Sequence, residues 1–194
     1  MLFNSCCKNR TNTPKGISLK AIILAGLLMI PLAAPVCANV WREQLPQARA
    51  IGSGDLRWFG LKIYTARLWS EQTRFDPESS TSPFALELTY HRSISREQFV
   101  KTSLDEITRL FANRYSAATL KRWEADMQRA FTDVNAGDQL IGVYLPEVGC
   151  RFYNSRQLLA EIRDPEFAKA FFAIWFDERT KDTGLRSQLL GSRK

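Results

Sequence analysis

The stretch DLRWFGLKIYTARLW, residues 55–69, reads as two β-strands folded back on each other near Gly60. Arg57, Lys62 and Arg67 are interleaved there with Trp58, Phe59, Tyr64 and Trp69. Alternation along the second strand puts Lys62, Tyr64, Ala66 and Leu68 on one face and Leu61, Ile63, Thr65, Arg67 and Trp69 on the other. The first face is the better pocket floor, with Lys62 at its mouth. Arg67 is expected to point outward, its stem packed on Trp69 or Trp58. Arg57 is either a surface arginine stacked on an aromatic ring or a ligand contact.

Downstream, residues 71–83 are loop by composition, and FALELTYHR alternates as a strand with Phe84, Leu86 and Leu88 toward the core and Glu87 toward solvent. A helix follows, with Ser95 and Gln98 as a capping box and Val100, Leu104, Ile107 and Phe111 as its apolar stripe. A second helix from about Ser116 carries Leu120, Trp123, Met127 and Phe131 on one side. QLIGVYLPEVGCRFY is a second hairpin, turning at Pro146 to Gly149. Asp164-Pro165 opens a third helix as N-cap and first residue; it is apolar on most sides, and a last helix around Leu185 to Leu190 is placed to cover it. The order ββ-β-αα-ββ-αα predicts an α+β fold: an antiparallel sheet covered on one face by a helical layer, with a cleft between them.

Upstream, Lys8, Arg10, Lys15 and Lys20 precede the apolar run Ala21 to Ile30, and Val36 and Ala38 satisfy the small-residue cleavage rule. Residues 1–38 are therefore expected to be a cleaved secretory signal, residues 39–194 a single domain behind a short polar lead, and the periplasm its destination. An uncleaved N-terminal anchor is the alternative. Cleavage leaves 156 residues, enough for a real core, and lowers the net charge from +7 to about +3. Nothing in that balance calls for nucleic acid or an anionic membrane, and no membrane span is expected after cleavage. Cys150 then stands alone, and one histidine with one cysteine excludes a His/Cys metal site of normal ligand count; no cofactor is expected.

The segments GSGDLRWFGLKIYTARLW, LTYHRSIS with its following helix, GVYLPEVGCRFY and DPEFAKAFFAIWFD, in this order, resemble the bacterial chalcone isomerase-like proteins. The resemblance covers most of residues 51–190. It implies an open-faced β-sandwich: a long antiparallel sheet, a helical layer and a pocket between them. The plant enzymes of that family close a chalcone into a flavanone, using a cation to steady the phenolate and hydroxyl or amide donors to polarise the ketone. By that resemblance Arg57 is the cation, and the enzymes' threonine falls at about Tyr64, with Thr65 adjacent. Their tyrosine falls near Gln98 or Phe99, and their asparagine near Asp105 or Glu106. The arginine is kept and the donors are changed, which weighs against efficient chalcone closure. The resemblance also brings in non-catalytic members that bind fatty acids.

The leading expectation is an exported protein that binds a small amphipathic or anionic ligand, of fatty-acid or phenolic type, with Arg57, Tyr64, Thr65, Thr102, Ser103 and Glu106 as candidate contacts. Arg57 and Tyr64 should line one cavity beneath the helix that begins at Ser95. An isomerase or lyase acting on an enone, with Glu106 or Asp105 as base, is one alternative, and a non-catalytic module of the envelope is another. His91 is expected in a solvated loop and Cys150 in the core or at the turn.

Overall fold

Alternating apolar residues and tight turns build six strands into one antiparallel sheet in sequential order. They are β1 (Arg49–Trp58), β2 (Leu61–Ser70), β3 (Phe84–Tyr90), β4 (Gln139–Leu145), β5 (Gly149–Tyr153) and β6 (Leu158–Ile162). The helices are α1 (Arg96–Phe111), α2 (Ala117–Ala130), α3 (Pro165–Phe176) and α4 (Thr183–Leu189). This is a computed structural model, and it describes residues 40–77 and 81–191. The expected signal, residues 1–38, lies outside them. No helix among the described residues is long and apolar enough to cross a membrane.

The α+β reading holds, with β6 as an added edge strand. The helix starts follow the expected chemistry. Ser95 caps α1 by accepting from the Gln98 amide, although the Gln98 side chain turns to Thr102 rather than closing the box. Asp164 caps α3 through the Phe167 amide, with Pro165 at the first position. It also accepts from the Trp123 indole, which ties α2 to α3.

The helical layer is two deep in places. α3 lies on β4 and β5, α4 lies on β1, and α1 packs chiefly on α3 and α2 rather than flat on the sheet. This rotates α1 from its expected stripe. Val100, Ser103, Glu106, Ile107 and Leu110 are buried, while Leu104 and Phe111 are only half-buried. The space beneath α1 is filled by α3, whose Phe167, Phe171, Phe172, Trp175 and Phe176 are all buried. Between that helix and the middle of the sheet a void of about 10 Å³ remains, about one water's worth.

Two features of β1 and β2 position the rest. The β1–β2 hairpin turns on Phe59 and Gly60, both at positive φ (46° and 77°). That is the two-residue turn whose twist matches the strands, normally built from Asn-Gly. Phenylalanine there costs about 1 kcal/mol. One rung inside, the register slips between Leu56 and Arg57, leaving Ile63 as an extra residue on β2. The slip reverses the alternation, so Lys62 joins the Asp55–Thr65 face and not the Tyr64 face expected for it.

The sheet's other face is not bare. The segment expected to be a polar lead forms a short 3₁₀ turn, Val40–Gln44, and buries Trp41 and Leu45 against Ala85, Ile141, Val143 and Tyr153. Two apolar residues four apart suffice for this strap, and the Arg42 guanidinium lies over Trp41 and Trp69 at 4.7 and 4.4 Å. Arg67 points outward as expected, over Trp69 at 5.6 Å.

Candidate functional site

The six residues singled out from sequence divide among three places. Arg57 lies on the sheet face away from the helices, 57% exposed at its side chain, with Nη2 3.4 Å from Asp55 Oδ2 and Nη1 donating to the Gly60 carbonyl. Thr65 shares that face. Its hydroxyl donates to Asp55 Oδ1 at 2.9 Å and lies 2.9 Å from His91 Nε2. Tyr64 points the opposite way, into the helical layer, where its hydroxyl accepts from the Trp175 indole at 3.0 Å and its ring meets Tyr90 edge-on. Burial pushes the Tyr64 phenol above its usual range. Arg57 and Tyr64 therefore do not line one cavity: they stand on opposite faces across a slipped register.

The other three residues lie on α1. Thr102 is exposed and accepts from the Gln98 side chain. Ser103 and Glu106 are on the buried side. Glu106, at 7% exposure, takes Arg109 through both carboxylate oxygens (2.5–3.1 Å) and Lys181 Nζ at 2.8 Å. Burial works to raise its carboxyl, but the hydrogen bonds and charges of Arg109 and Lys181 outweigh that and hold it below the usual carboxylate range. It is an ionised, fully engaged carboxylate rather than a free base. Asp105, the other candidate base, is exposed and paired with Lys101. His91 is exposed, and Cys150 is fully buried, its thiol pushed up by burial.

The large cavity lies at the other end of the sheet. Its volume is about 550 Å³, and it opens where β3 begins, between α3 and the loop ahead of that strand. Phe84 and Tyr144, side by side on β3 and β4 and stacked at 4.9 Å, make its floor. Lys169, Phe172, Ala173 and Phe176 make one wall, spaced three and four apart along a single face of α3. Phe111 and the turn after α3, including Arg179, complete it. None of the six sequence candidates lines it.

Glu106 nevertheless bears on the cavity at one remove. Arg109, held by Glu106, donates to the Arg179 carbonyl at 2.6 Å. Lys181, two residues on, bonds Glu106 directly. The Arg179 guanidinium is in turn clamped on Asp177, and the Thr180 hydroxyl donates to the Ile174 carbonyl. The buried carboxylate thus pins the turn that forms one rim. The sequence contained a partial signal for this cavity: a lysine in register with Phe172 and Phe176 on a helix read only as core.

A family model described as chalcone isomerase-like matches residues 52–191. The chain belongs to that family. Comparison with curated proteins finds no match. Among solved structures, this chalcone isomerase-like protein resembles an Arabidopsis thaliana fatty-acid binding protein, at a TM-score of 0.56 and 9% identity over 75% of this chain and 87% of that one. At that identity the likeness shows a common fold. The observed sheet and one-sided helical layer are the fold that the resemblance implied.

Proposed function

We propose that this chalcone isomerase-like protein binds a small amphipathic carboxylate, of fatty-acid or phenolic type, in the 550 Å³ cavity between α3 and the start of β3. One observation carries the reading: a cavity of ordinary ligand size, walled by Phe84, Phe111, Tyr144, Phe172 and Phe176, has an ammonium group on the same helix face as two of those rings. Lys169 has Glu166 at 3.7 Å as its ion-pair partner, a distance that leaves the ammonium able to take a ligand carboxylate. Arg179 is committed to Asp177. The fatty-acid binding of the Arabidopsis neighbour is in keeping with this. We also propose that residues 1–38 direct export, on the strength of their four cations and apolar run.

Native mass spectrometry of the protein recovered from a periplasmic extract tests both proposals. The expected species begins at Asn39 and carries a carboxylic acid. In titrations, dodecanoate or a hydroxycinnamate is expected to raise the melting temperature. Lys169→Gln should weaken binding about tenfold, the worth of one charge-assisted contact. Ala173→Trp should abolish binding by filling the half-buried wall while leaving the core intact. A wild-type protein that no acid from eight to sixteen carbons stabilises would reject the ligand reading; a protein confined to the cytoplasmic fraction would reject export, and a mass that retains residues 1–38 would reject cleavage.

A further inference from the structure

The β1–β2 hairpin overhangs the sheet. The last rung between β2 and β3 joins Tyr64 to Tyr90, so residues 57–62 pair only with each other. At the end of this overhang Trp58 is 66% exposed, Phe59 86% and Leu61 47%. The two rings lean on each other at 4.9 Å, tilted by 55°. Phe59 contributes almost no burial, yet it sits at a positive φ that aromatic residues avoid and that Asn would take readily. Backbone strain around a side chain that does nothing for the fold points to something outside the fold.

The charges are ordered along the overhang. Behind the aromatic tip come Arg57 and Lys62, opposite each other on adjacent strands. Asp55 comes behind them and accepts both cations from the side away from the tip. Apolar rings, then a basic collar, then an acid is the sequence met on moving from the hydrocarbon boundary of an anionic bilayer through its phosphates into water. Arginine and lysine stems are long enough to keep their charges at the phosphates while the rings go deeper. A convex tip of two residues suits a bilayer, which has no fixed shape to match, better than a protein pocket.

We propose that the Trp58–Phe59 hairpin is a membrane-surface anchor that inserts its two rings into the interface of an anionic lipid leaflet. It lies about 30 Å from the cavity along β2 at the usual strand rise, so the two proposals stand or fall separately.

Trp58 gives a direct readout, because Trp41, Trp123 and Trp175 are buried and Trp69 is half-buried. With vesicles of equal parts phosphatidylglycerol and phosphatidylcholine, the protein is expected to co-sediment, with a blue shift of the red-edge tryptophan emission. Pure phosphatidylcholine should bind at least tenfold more weakly. Phe59→Asn changes no charge and suits the turn better, so it should keep or raise the melting temperature while weakening vesicle binding about tenfold or more. A wild type that stays in the supernatant with the anionic vesicles overturns the proposal and leaves the hairpin to a protein partner. Undiminished binding by Phe59→Asn overturns it as well, since the attraction would then come from cations elsewhere on the surface.

Discussion

Glu106 carries more than its place on the α1 flank suggests. Its folded carboxyl lies below the ordinary value of 4.5, so the stabilisation it supplies is complete above that pH and is lost as the pH falls through the folded value. Thermal unfolding followed from pH 7 to pH 3 should therefore show an acid-side drop that is shallower in Glu106→Gln. At pH 7 that variant should be less stable by about 2 kcal/mol, the range for a hydrogen bond to a charged group, because Arg109 and Lys181 are exposed enough to regain water. A drop of equal size in both proteins would mean that other carboxylates carry the acid response. From sequence Glu106 was visible as an acid beside a polar helix flank. Its role was not, because Lys181 and the Arg179 carbonyl come from more than seventy positions further along the chain. Lys62 was misplaced for a different reason: a one-residue slip is invisible to alternation, and everything beyond it changes face.

At the scale of elements, glycines set how closely α4 approaches β1. A methyl group on Gly52 would fall on the backbone carbonyls of Gln188 and Leu189, and one on Gly54 would lie 2.8 Å from Leu185 Cδ1 and against the Gln188 side chain. Gly184, in the first turn of α4, has only Asp182 Oδ1 at 3.4 Å. Gly52→Ala is therefore expected to cost about 2 kcal/mol or more by forcing α4 off the sheet, whereas Gly184→Ala should gain several tenths of a kcal/mol, up to about 1. Urea denaturation midpoints for the two variants should move in opposite directions; a gain from Gly52→Ala would mean that α4 sits elsewhere. Elements with clear periodicity, caps or turns were legible: α1 to α4 and the first five strands were all anticipated. β6 was not. Its five residues begin Leu-Leu, lack clear alternation and lie at the sheet edge, so pairing with β5 defines the strand more than its own pattern does.

At the scale of the molecule, the fold class could be read because hairpin connections force antiparallel neighbours and clustered helices force a layer. The position of the cavity could not. Sequence patterns suggested space under α1, but α3 brings a run of buried aromatic side chains into that space, and the volume appears instead at the end of the sheet. Its walls are drawn from residues between Pro77 and Arg179, which no local pattern relates.

The strap around Trp41 bears on the order in which the chain assembles. In a sheet whose strands pair in the order they are made, each strand can zip onto its predecessor as it emerges. The strap cannot. Trp41 and Leu45 rest on Ile141, Val143 and Tyr153, and Gln44 accepts from Arg151, about a hundred residues later. A segment that precedes β1 is therefore expected to seat late, once the strands it covers have paired. Trp41, 1% exposed, should therefore act as a latch on the finished structure rather than as part of its nucleus. Trp41→Ala is expected to destabilise by about 3 kcal/mol, with nearly all of the change in a faster unfolding rate and little in the folding rate. Stopped-flow refolding slowed in proportion to the lost stability would place the strap in the nucleus instead.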